Sequence, residues 1–222
     1  MILQTENLEK TYMRSGVPFN AVECSGFTLE SGSFTILMGQ SGCGKSTLFH
    51  LLTGMCRPTC GKILYDGTDI VNCSERELAE LRRTDIGYIL QGQNLLPNFT
   101  VLENICMPSF LGRPRGDEYD RALELIEMFG LGALRDEFPG ALSGGEQRRV
   151  AIARAFSHDP KIVIADEPTS NLDSENSAII LRRLRDAAAH GTAVLMSTHD
   201  RSIPASDDTV WHMDHGKISD AR

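Results

Sequence analysis

The chain has no long apolar run. Stretches such as "FTILM" at 34–38 and "IVIA" at 162–165 are only a few residues long, against the roughly 20 apolar residues of a transmembrane helix, so no segment is expected to span a membrane. The first ten residues, "MILQTENLEK", lack the basic start and apolar stretch of a secretion signal. Positive charge is in deficit: 22 Lys and Arg against 30 Asp and Glu leave a formal net charge of −8. That balance disfavours a general phosphate-backbone binder, whose affinity comes from clustered Lys and Arg releasing counterions, and no nucleic-acid partner is expected. The six cysteines form no CxxC pair and no zinc-like spacing with histidine; they suit a reducing compartment in which thiols stay free. Low-complexity segments and internal repeats are also missing. With 23% charged and 41% hydrophobic residues the composition is that of a globular protein, and 222 residues fit a single domain, 1–222, with a proper core.

What is present begins with "SFTILMGQSGCGKSTLFHLLTG". An apolar, β-favouring stretch passes through a glycine-rich loop into Leu48, Leu51 and Leu52, which are spaced to share one helix face. Gly39, Gly44, Lys45 and Ser46 match G-x4-G-K-[ST], the phosphate-binding loop, in the strand–loop–helix setting it requires. Glycines let successive backbone amides converge on phosphate oxygens, Lys45 adds positive charge, and the Ser46 hydroxyl can ligate Mg²⁺. The following helix points its positive end at the same anion. The loop alone specifies a nucleoside triphosphate and leaves kinases, GTPases and motors open.

A second strand, Ile162 to Ala165, ends in Asp166 and Glu167. Chemistry in a parallel sheet gathers at the carboxyl ends of strands. Asp166 is therefore the residue expected to hold Mg²⁺ beside the cradle, and Glu167 the general base for water attacking a γ-phosphate. A third strand, "TAVLMST", ends at His199, a candidate γ-phosphate sensor that accepts or donates one hydrogen bond according to tautomer. In "ALSGGEQRRV" (141–150), Ser143 and Glu146 read as a capping box at a helix start. The adjacent Gly144 and Gly145 forgo about 2 kcal/mol of helix propensity, which calls for a reason to have bare backbone there.

Taken together, these motifs resemble those of ATP-binding cassette ATPases over almost the whole chain, and in that family's order. The resemblance implies that Tyr12 in "EKTY" stacks on adenine and that Gly39, Gln40, Ser41, Gly42, Cys43, Gly44, Lys45, Ser46 and Thr47 cradle the phosphates. It implies that Gln91 senses Mg²⁺ and γ-phosphate, so that the catalytic set is Glu167, His199, Lys45 and Gln91 and the metal set Ser46, Gln91 and Asp166. "SNLD" follows at 170–173. Ser143, Gly144 and Gly145 are then expected to face ATP held by a second subunit, two cassettes closing head to tail around two Mg-ATP; bare amides at a helix start suit that contact. The fold implied is α/β: a mostly parallel core sheet, an N-terminal antiparallel β part and an inserted helical subdomain over about 91–158. The partners implied are a second copy or a paralogous cassette and an integral membrane permease, docked on the surface after Gln91. The chain itself is then cytoplasmic, held peripherally at the inner face of the membrane.

"RPTCGKILYDGTDI", "LRRTDIGYILQGQNLLPNFTVLENICMP" and "DEPTSNLDS" resemble the branch with lipoprotein-release, macrolide-efflux and cell-division ATPases. Export or extrusion of lipoprotein, peptide or drug follows from that placement; the alternative is an ATP-dependent switch acting on a division or cell-wall partner without transport. A soluble cassette of DNA repair or translation brings a coiled-coil insertion or a second cassette, and neither is visible. Leu90 stands where an aromatic is common, Cys43 where serine is common, and Ser170 where glycine or alanine is frequent. A thiol at Cys43 beside phosphates leads to the expectation that alkylation there competes with nucleotide.

Elsewhere, "SEREL" at 74–78 opens a capping-box helix, and 117–129 places Ala122, Leu125, Ile126 and Phe129 on one face before Gly130. "GRPRGD" at 112–117 reads as a hinge-like connection. Arg182, Arg183 and Arg185, on a helix from Ser174 to His190, are expected on a solvated face. "WHMDHGKIS" reads as a hairpin turning at Asp214 to Gly216, with Trp211 packing.

Overall fold

The computed structural model describes residues 2–92, 94–111 and 116–220. Four strands near the start pair antiparallel: β1 (Leu3–Arg14) between β2 (Val17–Leu29) and β4 (Cys60–Tyr65), with β5 (Thr68–Asp69) at the edge. Five others lie parallel: β9 (Thr209–Asp214), β3 (Phe34–Met38), β8 (Ala193–Thr198), β7 (Ile162–Ala165) and β6 (Ile86–Ile89), in that spatial order. β10 (Lys217–Asp220) joins the two parts, antiparallel to β9 and bridged to β2 at Lys217 and Glu23. The result is one ten-stranded sheet, β5-β4-β1-β2-β10-β9-β3-β8-β7-β6, matching the expected α/β class with a parallel core and an antiparallel N-terminal part.

The central parallel strands β3, β7 and β8 are mostly apolar and fully buried because both faces are covered, whereas β9 carries Thr209, His212 and Asp214 and is largely exposed. Val163, Ala165, Val194 and Met196 point to one core, lined by α3 (Val101–Phe110), α4 (Glu118–Met128), α5 (Gly144–Phe156) and α6 (Ser174–Ala189). Ile162, Ile164, Ala193 and Leu195 point to the other, filled by α1 (Lys45–Leu52), α2 (Glu75–Thr84) and the antiparallel strands. Single residues along β7 and β8 thus alternate between two cores, as a two-residue period requires.

Helix starts follow local chemistry. Reciprocal capping boxes form at Ser74/Glu77, Thr100/Glu103 and Ser143/Glu146, opening α2, α3 and α5. α4 buries the expected face of Ala122, Leu125, Ile126 and Phe129. It ends through Gly130 at φ 65°, with the Leu131 amide donating to Ile126 O at 2.8 Å, a left-handed stop that glycine makes without strain. Residues 112–115 of the expected hinge-like connection lie outside the described residues.

The C-terminal hairpin turns at His215 and Gly216, both at positive φ, as a two-residue primed turn demands. Trp211 packs 5.1 Å from Phe27 between ring centres. Its tip also reaches back: the Gly216 amide donates to Cys43 O at 2.9 Å, buttressing the glycine-rich loop from below.

The arginine face of α6 differs from expectation. Arg182 is exposed, but Arg185 grips Asp208 with two bonds of 2.6 and 2.8 Å and lies over the Phe34 ring at 4.4 Å. The segment after β8 folds back across α6 and supplies a carboxylate that helical periodicity does not reveal.

Candidate nucleotide site

The glycine-rich loop leaves β3 at Met38 and enters α1 at Lys45. Gly42 and Gly44 hold φ of 79° and 116°, a region in which a Cβ is strained. A Cβ on Gly44 would stand 2.2 Å from Ala21 O, and one on Gly39 would stand 2.5 Å from Met213 O. Strand β2 and the C-terminal hairpin therefore close the space under the loop, and glycine is required at both places. Lys45, only 5% exposed, curls back to donate to Gly39 O at 2.8 Å and Gln40 O at 3.0 Å. Gln40, Ser41 and Gly42 form an exposed rim, and Ser46 and Thr47 are half-buried behind it.

The carboxyl ends of β7 and β8 bring the acidic residues to this loop. Ser46 Oγ donates to Asp166 Oδ2 at 2.5 Å, across 120 residues of sequence. The other oxygen, Asp166 Oδ1, accepts from Ser197 Oγ at 2.7 Å, and the Glu167 amide donates to the same Ser197 oxygen at 2.8 Å. Glu167 takes φ 45°, a left-handed conformation held in place by these bonds. Its Oε1 lies 3.3 Å from Lys45 Nζ and 3.8 Å from His199 Nδ1; the His199 side chain is 66% exposed. A hydroxyl and a carboxylate set side by side at a helix start are the hard oxygen donors that Mg²⁺ takes, so the residues present fit that ion.

The remaining expected residues are Tyr12, Gln91 and the start of α5. The Tyr12 hydroxyl reaches Cys56 Sγ at 3.6 Å and shares a hydrogen bond with Thr47, so its ring stands at the edge of the loop, 5.9 Å from Phe19 and under Lys10 Nζ at 5.1 Å. Burial first, and then Cys56, push the Tyr12 phenol up from its ordinary value. Gln91 is exposed, two residues beyond the end of β6. Ser143 and Gly144 are exposed at the start of α5.

One sequence reading needs correction, and another gains a second cause. Cys43 does not offer its thiol to the phosphates: the side chain is buried under the loop, where a Cβ on Gly39 would stand 2.6 Å from its sulfur. Its backbone remains part of the loop. Gly145 has an explanation within the chain, because a Cβ there would stand 2.7 to 2.9 Å from the side-chain amide of Asn176. That amide is held by Asp173 at 2.7 Å and by Arg149, and it cannot easily yield.

Two site residues escaped the sequence reading. Ser197 is fully buried in β8 and orients both acidic residues; its one signal was a hydroxyl directly after the apolar "AVLM" run. Arg148, 4% exposed, donates to Pro168 O at 3.0 Å, Leu90 O at 2.6 Å, Gly92 O, Asp166 O at 3.2 Å and Glu167 O at 3.3 Å. Burial pushes its guanidinium down to about 10. An arginine beside Arg149 on a helix carries no mark of such a place.

Comparison with known proteins identifies the family. A family model described as ABC transporter matches residues 22–170. The macrolide export ATP-binding/permease protein MacB of Rhodospirillum rubrum is 38% identical over 218 residues, which are 98% of this chain and 34% of that protein; the chain spans about a third of the length of that curated relative. Among solved structures, the dimeric post-hydrolysis state of the ATP-binding cassette MJ0796, bound to ADP and Pi, is 32% identical with a TM-score of 0.90, covering 100% of this chain and 99% of that one. Cassette cbiO1 of Clostridium perfringens, part of the cbiONQ transporter complex, is 30% identical with a TM-score of 0.84 over 98% of this chain and 86% of that one. Because the family model takes in most of the chain and whole cassettes superpose on it, the protein belongs to the ABC transporter family, as an ATPase cassette.

Proposed function

We propose that two copies of this chain close around two Mg-ATP and drive a membrane subunit of the export type. The observation that carries the reading is the division of the site between two helix starts: each chain has an exposed loop rim at Gln40 to Gly42 before α1 and an exposed serine–glycine start of α5 at Ser143 and Gly144. A helix start presents the positive end of its dipole to an anion. Ser143, Gly144 and Gly145 of one copy are assigned to the γ-phosphate held by the other.

Within one copy, Tyr12 is assigned to adenine and the loop from Gly39 to Thr47 to the phosphates. Arriving phosphate oxygens compete for Lys45, which now binds Gly39 O, Gln40 O and Glu167. Drawing the ammonium away leaves the Glu167 carboxylate free to accept a proton. Water then attacks the γ-phosphorus, the bond to the bridging oxygen of ADP breaks, and the water proton passes to Glu167. His199, beside Glu167, is assigned to the γ-phosphate. Ser46, Asp166 and Gln91 are assigned to Mg²⁺, which when bound neutralises charge on the β- and γ-phosphate oxygens. Ser197 keeps Asp166 and Glu167 aimed.

Leu96, Phe99 and Phe138 are exposed near the segment after Gln91 and are assigned to the membrane partner, with the helices of about 91–158 as the subdomain carrying them. Among the described residues no helix is long and apolar enough to cross a membrane, so bilayer contact is assigned to that partner, at the cytoplasmic face. The resemblance to a macrolide exporter favours extrusion.

Glu167→Gln tests the reading. Turnover is expected to fall by about 10²–10⁴-fold, the usual worth of a positioned base, while ATP converts the monomer to a dimer in light-scattering chromatography. Undiminished turnover removes Glu167 from its role; a variant that binds ATP yet stays monomeric overturns the sandwich.

A further inference from the structure

Arg148 sits in the second turn of α5, five residues past Ser143 and so about 7.5 Å along the axis at 1.5 Å per residue. A guanidinium has five N–H donors in a rigid fork. Here Nε goes to Pro168 O, Nη1 to Leu90 O and Gly92 O, and Nη2 to Asp166 O and Glu167 O. Every donor is used, and every acceptor is a backbone carbonyl.

The carbonyls belong to two separate segments. Leu90 and Gly92 flank Gln91, and Asp166, Glu167 and Pro168 contain the acidic pair. Burying a cation is costly, and five oriented carbonyl dipoles, with the Asp166 carboxylate nearby, offset that cost while both segments keep this shape. A shift of α5 therefore moves Gln91 and Glu167 with it. No other fully buried charged side chain of α5 ties the helix to both segments among the described residues.

We propose that Arg148 is a positioning residue that couples the helix tip of its own chain to Gln91 and Glu167 of that chain, so that hydrolysis in one cradle depends on the tip having seated on the partner's nucleotide. This rests on the sandwich reading above. Each copy's tip then licenses its own Glu167. Lysine in its place keeps the charge but loses the fork.

The test uses Arg148→Lys and Arg148→Gln, alone and in mixed dimers with an unaltered copy carrying a distinct tag. Both variants are expected to bind ATP within about threefold of normal, with kcat lowered about 100-fold, the scale of a misplacement of about 1 Å. A parallel change in KM, or turnover unaffected in both variants, overturns the role. In the mixed dimer, photocrosslinking with azido-ATP is expected to find unhydrolysed nucleotide on the altered copy, because Arg148 acts on its own cradle. Nucleotide retained on the unaltered copy means that Arg148 only builds the tip, and equal retention on both means no in-chain coupling; either overturns the proposal. Thermal melting of the variants within a few degrees of normal is required for a variant to count, and the glutamine variant stands if the lysine one fails. Failure of the sandwich itself is separate: it appears as absent ATP-driven dimerisation in the Glu167→Gln chain with Arg148 intact.

Discussion

Ser197 lies between two acidic residues and gives each a hydrogen bond. Its Oγ donates to Asp166 Oδ1 and accepts from the Glu167 amide. Ser197→Ala leaves a buried carboxylate oxygen and a strained amide without partners, a loss of about 1–3 kcal/mol for an unsatisfied buried group. Urea denaturation is expected to show that loss, together with a lower kcat, and normal values for both would show that Ser197 is a bystander. Cysteine chemistry divides along burial. Cys60 is exposed and Cys43 buried, so iodoacetamide at pH 8 is expected to modify Cys60 first, as mass spectrometry of timed samples would read. Hydrogen bonding to Glu9 raises the Cys60 thiol, which leaves less thiolate at a given pH. Glu9→Ala is therefore expected to speed its alkylation, and an unchanged rate would remove Glu9 as the cause. The Ser143/Glu146 capping box was legible because its two groups lie three residues apart; Ser197 and Asp166 lie 31 apart, and no local pattern joins them.

At the scale of elements, the start of α5 is pressed against the start of α6. Gly145→Ala adds helix propensity of about 1 kcal/mol, but its methyl meets an Asn176 amide pinned by Asp173 and Arg149. Overpacking of this kind costs about 1–3 kcal/mol, so a net loss in urea stability is expected, relieved by adding Asn176→Ala. A loss that persists in the double variant would mean that the strain is elsewhere. Helix starts also respond to pH. The Ser143 bonds hold the Glu146 carboxyl below its ordinary value, and the Asn176 amide does the same for Asp173. A depressed folded value contributes stability above the unfolded carboxylate range, near 4, and that contribution is lost as pH falls through the lower folded values. Amide protection relative to the intrinsic exchange rate is expected to fall in the first turns of α5 and α6 below that range before the parallel strands respond. Helix α4 and its glycine stop were readable because both faces and caps are written within a dozen residues. The Arg185–Asp208 grip was not, since it depends on a loop folding back.

For the whole molecule, one sheet joins an antiparallel part to a parallel core, and the join carries a consequence. Strand β2 and the C-terminal hairpin floor the phosphate loop, through Ala21 against Gly44 and Met213 against Gly39. Asp208, with a side chain 2% exposed, fastens the segment between β8 and this hairpin to α6 through Arg185. Asp208→Ala strands a partly buried arginine; removal of one partner of a fully buried pair costs about 3–5 kcal/mol, and Arg185, 35% exposed, brings the expected loss below that range. Thermal melting reads the stability, and a loosened loop at His199 is expected to raise KM for ATP. Unchanged melting and KM would make the grip incidental.

The amino-acid sequence by itself determined the phosphate loop, the acidic strand end, the capped helix starts and the apolar core strands, because each depends on residues within one or two turns or one strand of each other. Only the tertiary structure decided that Ser46 meets Asp166, that Cys43 turns inward, that Asn176 occupies the space beside Gly145, and that Arg148 collects carbonyls from two distant segments. Those outcomes depend on strand order and on how loops return across helices, and side-chain periodicity carries no record of either.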